Sequence, residues 1–201
     1  MTRPYIVAVE GISDTIASLE EMPAAIQRYA RMAINTTTKK TRTAASRKIR
    51  EQVNFTAGYL SDAAGRLSIT QQATDGNLEA RISGRFRPTS LARFASGAVG
   101  RGGVRVQVNP GSTQRMGRAF LMRLRAGRAN IETKSNLGLA IRLKPGEHVE
   151  NKHRMVPVTG NLYLLYGPSV DQIFRFVADE LAPDTGDDLE AEFLRLIDRM
   201  N

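Results

Sequence analysis

Apolar positions follow two different periods along this chain, first three-to-four and then two. From about Leu19 to Val53, apolar or small residues recur at Leu19, Met22, Ile26, Tyr29, Ala33, Thr37, Ala44, Ala45, Ile49 and Val53. That spacing predicts one long helix with a single packed stripe. Pro23 is tolerated only in the first turn or at a restart. The centre, Asn35–Thr43 (NTTTKKTRT), forms helix weakly because β-branched threonines crowd χ1; a helix, with or without a kink, is still expected there. Arg28, Arg31, Lys39, Lys40, Arg42, Arg47, Lys48 and Arg50 decorate it. A solvated helix face accounts for these bases at least as well as nucleic-acid contact does. Upstream, residues 3–9 (RPYIVAV) alternate enough for a short strand or packed arm, ended by Gly11, with Ser13 or Asp14 as a helix cap.

After Gly58 the period changes to two. Leu67–Gln71 (LSITQ) and Leu78–Ser83 (LEARIS) predict a β-hairpin around the turn cluster Thr74-Asp75-Gly76-Asn77. Val104–Val108 (VRVQV) alternates cleanly up to Asn109-Pro110-Gly111. Ala119–Leu124 and Leu137–Leu143 are further strand candidates, the second stopping at Lys144-Pro145-Gly146. Strands following a long helix, without βαβ alternation, predict an α+β fold: a long N-terminal helix packed on a mostly antiparallel β-sheet, with C-terminal helices. Between the strands, Arg87–Gly103 (RPTSLARFASGAVGRGG) has little periodicity and reads as an extended loop that orders on assembly.

From Ser169 the helical period returns. Val170, Ile173, Phe174, Val177 and Leu181 form a stripe, Pro183 interrupts it, and Asp184 starts a last helix carrying Leu189, Phe193, Leu196 and Ile197. Two regions are therefore expected: a basic α+β body over 1–168 and an acidic helical arm over 169–201. Leu162–Ser169 (LYLLYGPS) marks the junction as strand end, turn and helix cap. Gly167 permits the turn, Pro168 fixes φ and Ser169 caps the helix.

Charge sharpens this division. The 201 residues carry a formal charge of +9, with a pI near 10.3. Residues 171–201 hold nine acids and three bases, a net −6, which leaves +15 on residues 1–170. A basic body can sit against nucleic acid, or acidic arms can dock on the basic bodies of neighbouring subunits. A merely soluble charged surface is the plainest alternative. The 41% apolar content is enough for a core, yet no run approaches the roughly 20 apolar residues of a spanning helix. The N-terminus lacks the apolar run of a signal peptide, so folding in the cytosol is expected. With no cysteine, disulfides, thiolate metal sites and cysteine nucleophiles are excluded.

The chemistry of catalysis is not legible. Gly97 and Gly100 frame Ala-Val rather than a nucleophilic serine, and no lysine sits in a P-loop. Gly100-Arg101-Gly102-Gly103 offers backbone N–H groups to a phosphate but lacks strand-to-helix geometry. His148 and His153, beside Glu147 and Glu150, fit no standard zinc spacing on a helix face, and Lys144, Lys152 and Arg154 would oppose a cation. The acids Asp184, Asp187, Asp188, Glu190 and Glu192 read as a helix start that favours the dipole. No catalytic residue, cofactor site or metal site is expected. The candidate DNA- or partner-facing bases are Arg87, Arg93, Arg101, Arg105, Arg115, Arg118, Arg123 and Arg125. Arginine suits phosphate and also protein salt bridges. Aromatic residues make up 6% of the chain and do not interleave with the bases as a stacking platform would. The pattern predicts a generally positive surface, not sequence readout.

The serial order of features carries a resemblance. A long helix bears Met32-Ala33-Ile34-Asn35-Thr36-Thr37 and then Ala45-Ser46-Arg47-Lys48-Ile49-Arg50. After the hairpin come Arg87-Pro88, Leu91-Ala92-Arg93-Phe94, Gly103–Val108 (GVRVQV) and Ala119-Phe120-Leu121. Leu165-Tyr166-Gly167-Pro168-Ser169-Val170 closes the order before a helix. Over roughly residues 25–180 this resembles the minor tail protein Z family of tailed bacteriophages and, more loosely, tail-completion and neck proteins. The resemblance implies a virion structural protein without catalysis, assembled in the host cytoplasm and placed at the head-proximal end of the tail, where it helps head–tail joining and DNA passage. It implies a homo-oligomeric ring, with six-fold symmetry as the arrangement to test. The implied neighbours are tail terminator, tail tube or neck proteins, with non-specific contact to passing DNA and no membrane. Tyr166, Gly167, Pro168 and Ser169 form the candidate subunit contact. The acidic segment 184–201 has no counterpart in the resemblance. A basic DNA-binding protein without enzymatic activity is the alternative.

Overall fold

The computed structural model describes residues 24–100, 102–124, 137–148 and 154–199. The arm expected at 3–9, its caps at Ser13 and Asp14, and the helical start over 19–23 lie outside the described residues. The stripe beyond them is one helix, α1 (Ala24–Gln52), whose buried residues recur every fourth position: Ala33, Thr37, Thr41, Ala45 and Ile49. The threonine-rich centre continues as helix, and three of its hydroxyls are hydrogen-bonded. Thr38 and Thr43 donate to the carbonyls of Ile34 and Lys39, four residues back, at 2.7 and 2.9 Å. Thr41 shares a buried hydrogen bond with Thr185 at 3.2 Å.

The chain divides into two units. The first comprises Met1–Ile49, Thr56–Phe86 and Val170–Asn201; the second comprises Arg50–Phe55 and Arg87–Ser169. In the first unit, β1 (Leu67–Gln71) and β2 (Arg81–Gly84) form the expected antiparallel hairpin, with Leu67 opposite Gly84 and Ile69 opposite Ile82. Beyond the strands, Thr74 and Asn77 exchange N–H···O bonds of 2.7 and 3.1 Å across the Asp-Gly turn. Asn35 holds this ribbon on α1. Its amide donates to the Ala73 carbonyl at 3.0 Å, and its oxygen accepts the Ala73 N–H at 2.9 Å.

The C-terminal region is one helix, α2 (Val170–Asp198), running through Pro183. This corrects the expected break into two helices. Proline removes the N–H that would otherwise bond the carbonyl four residues back. Pro183 and Asp179 are both exposed, so the missing helix bond lies on the solvent side. Leu181 and Thr185 remain buried. The acids beyond Pro183 therefore lie inside a helix rather than at a helix start, and the dipole account of them fails. Asp188 faces α1 instead, as does Glu180 just before the proline. Lys40 lies 3.9 Å from Asp188, and Lys48 is ion-paired with Glu180. With Thr41–Thr185 between them, these pairs make α1 and α2 antiparallel. At the helix start, the Asp171 N–H donates to the Arg85 carbonyl at 3.0 Å. A Cβ on Gly84 would sit 2.7 Å from the Asp171 Cα, so only glycine allows this approach.

The second unit holds two antiparallel sheets. The first has the order β3 (Ala95–Gly100), β4 (Gly103–Val106), β5 (Gln114–Met116). The supposed extended loop 87–103 thus contains a 3-10 helix, Leu91–Phe94, and strand β3. Backbone pairing with β4, Ala95 to Val106 and Ser96 to Arg105, specifies this strand. Its Gly and Ala side chains carry no periodic signal. The second sheet has the order β6 (Phe120–Arg123), β7 (Leu137–Arg142), β9 (Leu162–Leu165), β8 (Met155–Thr159). Ala140, Leu162 and Leu164 form its buried centre, with Phe120, Met122, Leu124, Val158 and Tyr166 packed around them. Phe55 meets Phe94 with ring centroids 5.4 Å apart. The architecture is α+β, with a long N-terminal helix, antiparallel sheets and a C-terminal helix.

Candidate functional site

The two units differ sharply in charge. The segments of the second unit hold 15 Lys or Arg against 4 Asp or Glu, a net +11. Those of the first hold 14 against 16, a net −2. The acidic helix α2 therefore offsets the basic helix α1 within one unit, and the excess positive charge belongs to the strand-rich unit.

The eight candidate bases have different surroundings. Arg105 on β4 and Arg115 on β5 are direct cross-strand partners, and both are exposed. Arg115 donates through Nε to the Gly102 carbonyl at 2.8 Å. Arg123 is exposed at the end of β6, opposite Leu137. Arg87 is exposed, and its charge lies near enough to Tyr166 to counter, in part, the burial that raises that phenol above its usual pKa. Arg93 is half-buried on the 3-10 helix Leu91–Phe94, where the Ser90 hydroxyl accepts the Ala92 N–H at 3.3 Å. Arg101 and Arg125 lie outside the described residues.

Arg118 is held within the protein. Its guanidinium grips both carboxylate oxygens of Glu147 at 2.7 and 2.8 Å and donates to the Arg142 carbonyl at 2.7 Å. Glu147 closes the turn that ends β7. It accepts the Lys144 N–H on its side chain at 2.7 Å, while its own N–H reaches the Lys144 carbonyl at 3.1 Å. Gly146 supplies the positive φ of +84° that this Pro-Gly turn requires. The Arg118 fork, then the Lys144 N–H, hold the Glu147 carboxyl at about 2, against an ordinary value of 4.5. Glu147 is thus a turn clamp. Its neighbour His148 is exposed, and His153 and Glu150 lie outside the described residues.

The motif Tyr166, Gly167, Pro168, Ser169 is tied down inside the second unit. The Gly167 N–H donates to the Thr89 carbonyl at 2.7 Å, the Thr89 N–H to the Pro168 carbonyl at 3.3 Å, and the Tyr166 N–H to the Arg154 carbonyl at 2.8 Å. A Cβ on Gly167 would meet Leu91 at 2.9 Å. Ser169 is buried.

Two polar anchors in the first unit escaped the sequence reading. Asn35 clamps the hairpin. Arg42, read as one of several bases on a solvated face, is 14% exposed at its side chain and ion-paired with Asp62 at 3.0 Å. It donates to the carbonyls of Leu60 and Leu67. Its position beside buried Thr41 was the only available signal, and periodicity alone does not separate a stripe's edge from its solvent side. Among the described residues, no helix is long and apolar enough to cross a membrane. Comparison with family models, curated proteins and solved structures finds no match.

Proposed function

We propose that this chain is a non-enzymatic structural protein of a tailed-phage virion, a tail-completion or neck component at the head-proximal end of the tail. It works there as a homo-oligomeric ring, bound to tail terminator, tail tube or neck proteins, and helps head–tail joining and DNA passage. The observation that carries the reading is the charge division, +11 on the strand-rich unit against −2 on the helical one. A ring assembled around DNA is favoured by an excess of positive charge available to the phosphates. The serial order of motifs from Met32 to Val170 supports the same reading. The purified protein is expected to form a closed oligomer, or to assemble on tail-tube ends, by native mass spectrometry and cryo-electron microscopy. A strict monomer that binds no tail or neck component overturns the proposal.

The +11 unit also favours a second reading, a basic DNA-binding protein without enzymatic activity. Tight duplex binding with a steep salt dependence, in a protein that stays monomeric, selects it.

A further inference from the structure

Opposed residues of an antiparallel pair project to the same face, with Cβ atoms about 5 Å apart. Arg105 and Arg115 are such a pair. Val104 and Val106, on either side of Arg105, are buried at 4% and 3% exposure. Alternation along β4 therefore sends Arg105 outward. Ser96 on β3 is exposed and continues the row. Two like charges held opposite each other destabilise a sheet unless an anion lies over them. Among the described residues, Arg31, Arg42, Arg81, Arg118, Arg175 and Arg195 are each ion-paired with a carboxylate. Arg105 and Arg115 have no such pair among those residues. The bond from Arg115 Nε to Gly102 anchors its stem against the β3–β4 turn and leaves the two Nη groups as donors.

We propose that this face, centred on Arg105 and Arg115, binds the phosphate backbone of double-stranded DNA without reading its sequence. A second copy could offer its acidic helix α2, but Asp171, Glu180, Asp188 and Glu192 there are already ion-paired within their own chain, so the compensating anion is another molecule. An acidic protein would need apolar anchors for affinity. Among the described residues, Val156 is the one large exposed hydrophobic of the second unit, and it lies on β8 in the other sheet. Single strands would need aromatic platforms. In this unit Phe55 and Phe94 are buried against each other, while Phe120, Tyr163 and Tyr166 belong to the other sheet or pack on its core. Paired guanidiniums suit phosphate oxygens, and a duplex carries the densest line of them. The choice of DNA over RNA rests on the function proposed above; the face itself does not.

The test is fluorescence anisotropy on the full chain with a labelled random-sequence duplex of about 30 base pairs over a salt series. The double variant Arg105→Gln, Arg115→Gln is expected to lower the log-affinity against log-salt slope by about 1.8, two phosphate contacts at about 0.9 each. A matched variant, Arg28→Gln, Arg47→Gln, removes equal charge from exposed positions of α1 and is expected to keep the wild-type slope. Equal slopes for the two double variants overturn the proposal, because bulk charge then suffices. Preference for poly-glutamate over duplex overturns it in favour of an acidic protein partner. Thermal melts guard against misfolding, since removing the like-charge pair is not expected to lower Tm. If Tm falls, Arg105→Lys, Arg115→Lys must bind with the wild-type slope, and its failure also overturns the proposal. Ring assembly with an unaltered slope removes this face and keeps the virion reading. A reduced slope in a chain that never joins tail ends does the reverse.

Discussion

Arg42 shows how a single side chain changes meaning between sequence and structure. Among eight bases along α1 it looks like surface decoration. In place, it bonds the carbonyls of Leu60 and Leu67 and pairs with Asp62. Arg42→Met keeps the apolar stem but leaves those carbonyls without their donor. The expected cost is about 2 kcal/mol, read as a lower urea midpoint, and an unchanged midpoint would refute the anchor. Thr37 presents the opposite case. Its hydroxyl is buried and has no hydrogen-bond partner among the described residues. Thr37→Val keeps the shape and removes the unsatisfied group, so a gain of about 1 kcal/mol is expected by the same measurement. Glu147 carries a pH dependence. Its folded carboxyl titrates at about 2, below its ordinary 4.5. The clamp therefore stabilises the folded state fully above about 4.5, and that contribution is lost as pH falls toward about 2. Melts of wild type and Glu147→Gln should differ at pH 6 and converge near pH 2; a constant gap would contradict the assignment.

Among the elements, those with strong side-chain alternation were legible. LSITQ and VRVQV alternate large and polar residues; the first is the whole of β1, and the first three residues of the second lie on β4, which ends at Val106. Strand β3, ASGAVG, was not legible, because glycine and alanine bring no apolar period and only pairing with β4 orders it. Strand β8 contains Pro157, which argues against a strand unless the strand is at an edge, and β8 does lie at the edge of its sheet. The same residue type misled at Pro183, where the helix continues. Pro183→Ala restores an N–H and removes a clash, so Tm is expected to rise, by at most about 3 kcal/mol of helix stability. A lower Tm would mean that the proline sets the burial of Leu181 and Thr185.

For the whole molecule, the acidic segment carries the largest revision. Sequence suggested a basic body over 1–168 and an acidic helical arm over 169–201. The structure places α2 in one unit with α1 and the first hairpin, through Thr41–Thr185, Lys40–Asp188 and the Asp171–Arg85 bond. Truncation after Ser169 would remove the partners of Lys40, Thr41 and Lys48 on α1. It is expected to abolish the cooperative melt of α1 at 222 nm, whereas a separable arm would leave that melt intact. The candidate site follows the same pattern. Its arginines were legible as a basic population, but register decides that Arg105 faces Arg115, and a distant turn decides that Arg118 faces Glu147.

Periodicity and turn chemistry determined the long helix, the hairpin, the α+β class and the excess of arginine, because each depends on residues close together in the chain. Only tertiary structure decided which bases are neutralised, which threonines are buried and where the acidic helix lies. Those outcomes depend on partners such as Asp188 for Lys40 and Asp62 for Arg42, whose positions are set by the packing of segments far apart in sequence. Charge counts add along a chain, whereas their compensation depends on distance in space.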